Sequence, residues 1–122
     1  MIVEVDTASP VPAYEQIRAH LATMIETGVL ASGTRLPPVR QLAADLGLAV
    51  NTAARAYQEL ERAGLVTSRV RHGTVVAPRK PIGQPEIRRR LAGAADSFAA
   101  IAGRLGVTPD EALDAVREAL RR

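Results

Sequence analysis

The side chains of this sequence that can do chemistry are mostly arginines, and they are concentrated in one stretch. Fifteen of the 16 basic residues are arginine, and residues 31–80 hold eight basic residues against three acidic ones. That stretch has a net charge of +5, in a chain whose total is +3. An arginine offers five N–H donors in a flat fork, which fits a phosphate group or the edge of a guanine base. The block therefore indicates either a polyanion partner or a solvated charged face, and charge alone does not decide between them.

The rest of the composition leaves little room for catalysis. The chain has no cysteine, which excludes disulfides, thiolate metal ligands and cysteine nucleophiles. Its two histidines, His20 and His72, lie far apart in the sequence. No Ser/His/Asp set, paired carboxylates or phosphate-binding glycine loop is visible. We therefore expect no catalytic residue, no metal and no cofactor.

Neither a membrane span nor a secretory signal is expected. No run approaches the about 18 apolar residues that a transmembrane helix needs. The first residues lack both a basic segment and a long apolar segment. We predict a cytoplasmic, nucleoid-associated protein with no membrane partner.

The basic stretch lies among elements that predict a winged helix-turn-helix. Apolar spacing predicts a first helix ending at Gly28, a second helix over 38–47 and a third helix ending at Gly64. Only a few residues separate the second helix from the third, as in a helix-turn-helix. β-branched residues at 65–67 and 73–77 predict a hairpin, which would form the wing.

A short helical tail is predicted after the winged helix-turn-helix. Residues 79–85 are rich in proline and read as a linker. Two helices are expected over 86–122, the second starting at a capping box on Thr108. Apolar residues in the tail step by three and four, which predicts either a dimer interface or packing of the two tail helices within one chain. The predicted dimerisation residues are Leu91, Phe98, Ile101, Leu105, Leu113, Val116 and Leu120.

The predicted fold class is thus mainly α with a small β wing. The winged helix-turn-helix occupies residues 1–78, the linker 79–85 and the two-helix tail 86–122.

An ordered set of motifs over residues 2–78 resembles the winged DNA-binding domain of the GntR family of bacterial transcription regulators. Within the family, the short helical tail is most similar to the YtrA subfamily. The chain departs from the usual family pattern at Pro38, where serine is common, and at Arg71, where a wing glycine is usual. The motifs that carry the resemblance are Pro12-Ala13-Tyr14-Glu15-Gln16-Ile17, Gly28-Val29-Leu30, Gly33-Thr34-Arg35-Leu36-Pro37, Val39-Arg40-Gln41-Leu42-Ala43, Leu46-Gly47, Asn51-Thr52, Arg55-Ala56-Tyr57-Gln58-Glu59-Leu60-Glu61, Gly64-Leu65-Val66 and Gly73-Thr74.

These elements give individual residues expected roles on DNA. The first turn of the third helix would enter the major groove, where Asn51 suits adenine or a phosphate and Val50 or Ala54 suits a thymine methyl group. In the family, the arginine that matches Arg40 reaches base edges or phosphate. Arginines outside that helix, and the wing, suit phosphate or minor-groove contacts. The predicted DNA-binding residues are Arg35, Arg40, Val50, Asn51, Thr52, Arg55, Arg69, Arg71, His72 and Gly73.

Each role has a structural alternative. Arg40 could pair with Asp45, and Arg55 with Glu59. Asn51 and Thr52 could cap the third helix. His72 could be a plain turn residue. The two tyrosines, Tyr14 and Tyr57, lie on apolar stripes and are predicted to be core residues rather than platforms for bases.

We expect a homodimeric transcription regulator, a repressor, that binds an inverted-repeat operator in double-stranded DNA. The tail of about 37 residues is too short to enclose a small molecule alone, so an unknown effector would bind between subunits or beside the short helices. The alternative is a winged-helix protein-interaction or antitoxin-like adaptor without strong DNA binding.

Overall fold

Five helices and one two-stranded antiparallel sheet make up residues 3–122, the range described by the computed structural model. None of these helices combines the length and the apolar composition that crossing a membrane requires. The order matches the predicted mainly α fold with a small wing, so the fold class is confirmed. In chain order the elements are α1 (Ala13–Glu26), α2 (Val39–Leu46), α3 (Val50–Arg62), β1 (Val66–Arg69), β2 (Gly73–Val76), α4 (Gln84–Leu105) and α5 (Pro109–Arg121).

The core of the first part of the chain lies between α1 and α3. Small and aliphatic side chains fill it, because the sequence has only three aromatic residues. Tyr57 is buried there as predicted, and its hydroxyl donates to the Pro37 carbonyl oxygen at 2.7 Å. Burial raises the pKa of Tyr57 to about 12. The core residues with no exposed surface are Ile17, Leu21, Ala53, Ala56 and Leu60.

A three-residue turn joins α2 to α3. Gly47 ends α2 with a φ of +67°, a left-handed conformation that glycine adopts without a Cβ clash. The next amide, of Leu48, donates to the Ala43 carbonyl oxygen at 2.9 Å. Because α3 then begins at Val50, the two helices form the predicted helix-turn-helix.

The wing is fixed to the loop that precedes α2. β1 and β2 pair antiparallel, with Arg69 opposite Gly73 at the tip. Residues 33–36 lie along the other edge of β2, where the Val76 amide donates to the Thr34 carbonyl oxygen at 2.9 Å. The loop is therefore joined to the hairpin by backbone hydrogen bonds.

Residues 79–82, predicted as the start of a linker, are bonded to the first part of the chain. The Ser32 hydroxyl accepts from the Arg79 amide at 3.1 Å and lies 3.2 Å from its carbonyl oxygen. The Ile82 amide donates to the Glu26 carbonyl oxygen at 2.7 Å. These bonds fasten the segment to the end of α1 and the loop after it.

The structure divides into two units, the first ending at Ile82 and the second spanning Gly83–Arg122. In the second unit Thr108 caps α5 as predicted, because its Oγ1 accepts from the Glu111 amide at 3.2 Å. The Glu111 carboxylate accepts from the Thr108 hydroxyl at 3.1 Å, and not from the Thr108 backbone amide that a complete capping box uses. No residue of α4 or α5 is buried. The proposed division into residues 1–78, 79–85 and 86–122 stays a prediction.

Candidate functional site

The first turn of α3 has Val50 and Asn51 exposed and Thr52 half-buried. Ala49 precedes the helix without a side-chain cap, so Asn51 and Thr52 do not cap it. Within residues 3–122 neither side chain makes a hydrogen bond, and Val50 is 45% exposed. Their hydrogen-bonding groups are free to meet a ligand.

Arg40 lies in the first turn of α2 and is exposed. Pro38 precedes this helix and supplies no side-chain cap, which is the loss expected where the family has serine. The alternative pairing with Asp45 is not formed within the described residues. Arg40 therefore offers an unoccupied guanidinium beside the helix-turn-helix.

Arg55 lies on α3 and is held by α1 rather than by a carboxylate. Its Cζ atom lies 3.8 Å from the centroid of the Tyr14 ring. The alternative partner, Glu59, bonds Arg62 instead, at 3.2 Å. Tyr14 packs against the core as predicted, but it is only half-buried, and its free face carries the arginine.

The wing tip brings together five of the predicted DNA-binding residues. A Cβ atom at Gly73 would lie 3.2 Å from Arg35 Nε, so the Arg35 guanidinium lies against the wing backbone. The turn closes where the His72 amide donates to the Arg69 carbonyl oxygen at 3.1 Å. Inside it Arg71 has a φ of +116°, a conformation that side chains with a Cβ rarely adopt.

The arginines of this surface have no ion-pair partner in the part of the chain that the structure describes. Across residues 3–122, no carboxylate lies within ion-pair distance of the predicted DNA-binding arginines, which are Arg35, Arg40, Arg55, Arg69 and Arg71. Elsewhere in the first unit Arg18 bonds Glu15 at 2.7 Å, and this bond holds the pKa of that carboxyl below its usual value. The positive charge of the predicted surface is therefore uncompensated, whereas charge on α1 is neutralised locally.

Two residues of this surface are missing from the sequence prediction. The apolar periodicity assigns Tyr14 to the core alone. It does not reveal which side chain of another helix lies on the Tyr14 ring. Val70, at the wing tip, is 93% exposed. Its position between two arginines in the predicted turn is the signal that could have identified it.

A second candidate site is an apolar groove between α4 and α5, of about 780 Å³. Four of the predicted dimerisation residues line it, and they are Leu91, Phe98, Leu113 and Val116. The other three lie outside the groove and are exposed, and they are Ile101, Leu105 and Leu120. Packing of the two tail helices within one chain therefore leaves most of the predicted dimerisation residues uncovered.

Several known proteins have similar sequences. The model of the family described as "Bacterial regulatory proteins, gntR family" matches residues 13–76. The chain is similar to the HTH-type transcriptional regulator Rv1152 of Mycobacterium tuberculosis strain H37Rv, with 39% identity over 111 residues that cover 91% of this chain and 88% of that protein. It is also similar to the HTH-type transcriptional repressor YtrA of Bacillus subtilis strain 168, with 34% identity over 76 residues, or 62% of this chain and 58% of that one.

Solved structures share the fold. YtrA from Sulfolobus acidocaldarius, a GntR-family transcription factor, matches with a TM-score of 0.60 and 28% identity, covering 79% of this chain and 99% of that chain. The AraR DNA-binding domain in complex with operator ORX1 matches with a TM-score of 0.56 and 26% identity, covering 63% and 99%. That protein is a DNA-bound example of the fold.

Proposed function

This chain belongs to the GntR family of bacterial regulatory proteins, and we propose that it acts as a homodimeric repressor on an inverted-repeat operator. The family makes it a DNA-binding transcription regulator and not an enzyme, since its relatives are named as regulators. The dimeric state, the inverted-repeat operator and the repression of transcription are what we propose beyond family membership. Repression is favoured by the similarity to YtrA of Bacillus subtilis, which is named as a repressor.

The observation that carries DNA binding is the set of unpaired arginines in the first unit. A carboxylate partner would neutralise each of these cations within the chain, yet none has one among residues 3–122. The phosphate groups of DNA would supply negative partners for these arginines. Binding also releases counterions from the DNA, which favours the complex. Ion pairs of Arg40 with Asp45 and of Arg55 with Glu59 would have neutralised these two charges inside the protein.

Sequence would be read by the first turns of α2 and α3. Asn51 makes two hydrogen bonds to adenine when its amide faces the base edge, and Val50 contacts a thymine methyl group. Arg40 bonds guanine or a neighbouring phosphate. The free side chains at 50–52 support this assignment.

The wing and the loop beside it would bind the DNA backbone. Arg35 lies against Gly73, so the loop and the wing present one positive patch. Arg69 and Arg71 extend it across the tip. This arrangement suits phosphate or minor-groove contacts, which position the protein without reading base edges in the major groove.

Dimerisation is supported by the second unit. A unit of 40 residues is too small to bury a core alone, and here no helical residue is buried. A second copy placed against the groove would cover its apolar wall and create a two-fold axis. Two winged units related by that axis match an inverted repeat. An effector also stays a prediction, and the tail is where it would bind.

The test is a footprint on the DNA upstream of this protein's own gene, combined with a salt titration of affinity. We expect symmetric protection and a log–log salt slope of about −0.9 for each phosphate contact. The Arg40→Ala variant should lose about 1–3 kcal/mol of preference for the operator over unrelated DNA. Arg117→Ala is the control for loss of one arginine, because Arg117 bonds Asp114 on α5 and is not a predicted DNA-binding residue.

Two results would contradict the proposal. No binding to any duplex at about 50 mM salt, where nonspecific contacts are strong, would favour the adaptor alternative. An unchanged footprint and unchanged preference in Arg40→Ala would remove Arg40 as a base-reading residue.

A further inference from the structure

We propose that Tyr14 is a positioning residue for DNA binding, because its ring holds the guanidinium of Arg55 ready to meet a phosphate. The inference rests on the proposed function, in which Arg55 contacts DNA. It adds a residue of α1 to the binding machinery, although α1 lies outside the helix-turn-helix.

The contact has the geometry of a cation–π interaction. Arg55 Cζ lies 3.8 Å from the Tyr14 ring centroid, well inside the distance of about 6 Å at which such pairs attract. A planar guanidinium that stacks through its face keeps its N–H donors at the rim, where they can still bond an oxygen. The ring therefore restrains the arginine without using the groups that bind DNA.

The platform itself is rigid. Tyr14 packs against the hydrophobic core from the first turn of α1, so its ring is not free to turn away. The side chain of Gln16, in the same turn, donates to the Val11 carbonyl oxygen at 2.8 Å and accepts from the Asp6 amide at 2.8 Å. These bonds fix the start of the helix that carries the ring.

Nearby carboxylates do not compete for the arginine. Glu15, next to Tyr14, is bonded by Arg18 at 2.7 Å, and Glu59, one turn after Arg55, is bonded by Arg62. Arg55 itself makes no ion pair with any residue from 3 to 122. A polyanion thus finds the guanidinium oriented and uncompensated.

Ordering a long side chain in advance removes a cost that binding would otherwise include. For one arginine this amounts to about two- to tenfold in affinity. Loss of the ring should therefore weaken DNA binding even though Arg55 and its charge remain.

The experiment is a double-mutant cycle in the full chain, read by affinity for the footprinted duplex. Tyr14→Leu should weaken binding by about two- to tenfold, whereas Tyr14→Phe, which keeps the ring, should stay within about twofold. In an Arg55→Ala background, Tyr14→Leu should have no further effect. The salt slope should shrink by about 0.9 in Arg55→Ala and stay unchanged in Tyr14→Leu, because only the first variant removes a phosphate contact.

A direct measurement covers the case in which Tyr14→Leu folds poorly. In the DNA-free wild type, the Arg55 side-chain methylene protons should show an upfield ring-current shift in the NMR spectrum, and Tyr14→Phe should keep it. Ordinary arginine shifts in both proteins would overturn the proposal.

Four further outcomes are decisive. An equal loss from Tyr14→Leu with and without Arg55 would make Tyr14 merely structural. An equal loss from Tyr14→Phe and Tyr14→Leu would assign the effect to the hydroxyl instead of the ring. If Arg55→Ala binds like the wild type, the positioning role fails while DNA binding through Arg40 stands, whereas a wild type that binds no duplex refutes the proposed function itself.

Discussion

Arg71 occupies a backbone conformation that disfavours its own side chain. Its φ of +116° falls at the third position of the turn closed between Arg69 and His72, where glycine is preferred. A non-glycine residue held there costs of order 1–3 kcal/mol. The usual wing glycine of the family would avoid that cost, so a functional reason for the arginine is expected.

We expect Arg71→Gly to raise stability and to weaken DNA binding. Relief of the backbone strain should increase the free energy of unfolding by about 1 kcal/mol, measured by denaturant titration. Loss of one phosphate contact should reduce the magnitude of the salt slope by about 0.9.

Arg71→Ala is the matched control for this prediction. It removes the same charge but keeps a Cβ at the strained position, so DNA binding should fall as in Arg71→Gly without the gain in stability. Equal stability of the two variants would mean that the turn is not strained.

The sequence predicts which residues carry charge at this surface, but not how they are held. Arg71 is identified as a departure from the family pattern, yet its φ depends on the turn that the hairpin adopts. The pairing of Arg55 with Tyr14 depends on how α1 crosses α3, across 41 positions in the sequence. Patterns of three and four residues report which face of a helix is buried, and they carry no information on that crossing.

Among the elements, the segment 79–82 differs most from its expected character. Proline-rich composition predicts a free linker, but the segment packs on the end of α1. Gly28, with a φ of +83°, makes room for it, since a Cβ there would lie 2.9 Å from Pro81 Cγ. Composition alone could not reveal this, because the complementary surface comes from Gly28, Ser32 and Glu26, about fifty residues earlier.

We expect Gly28→Ala to release this segment. The added methyl group must displace Pro81 and also occupy a left-handed backbone, which costs about 1–2 kcal/mol by itself. Hydrogen exchange of the Ile82 amide, now bonded to the Glu26 carbonyl oxygen at 2.7 Å, should accelerate.

Gly33→Ala separates the two effects. Gly33 has a nearly equal φ of +86°, but nothing lies within 4 Å of the position its Cβ would take. Gly33→Ala should have the same backbone cost as Gly28→Ala but should leave the hydrogen exchange rate of the Ile82 amide unchanged. Identical exchange in both variants would show that Pro81 does not hold the segment down.

The order and type of the elements are predicted well, because each is encoded locally. Glycines follow the predicted helix ends, Thr108 caps α5, and the β-branched runs become the wing. The family prediction, including the YtrA-like subfamily, is confirmed. The exposed stripe of the tail is different, since periodicity shows that α4 and α5 are amphipathic but not what covers their apolar faces.

For the whole molecule, we propose that this stripe forms the dimer interface. Phe98 is 37% exposed and lines the groove between α4 and α5, although it is the largest apolar side chain of the second unit. We expect Phe98→Glu to abolish the dimer, because it places a charge in the apolar contact without emptying any core of the single chain. Ser97→Glu is the matched control, since Ser97 adjoins Phe98 on α4, is exposed and does not line the groove.

Sedimentation equilibrium of the full chain tests whether it is a dimer and whether Phe98 lies in the interface. The wild type and Ser97→Glu should have twice the chain mass of 13.0 kDa, and Phe98→Glu should have the mass of one chain. Because two linked winged units bind the second half-site intramolecularly, the monomeric variant should lose about a hundredfold or more in operator affinity while keeping its affinity for a single half-site. A dimer that survives Phe98→Glu would place the interface on another surface, and a wild type of single-chain mass would refute the dimer.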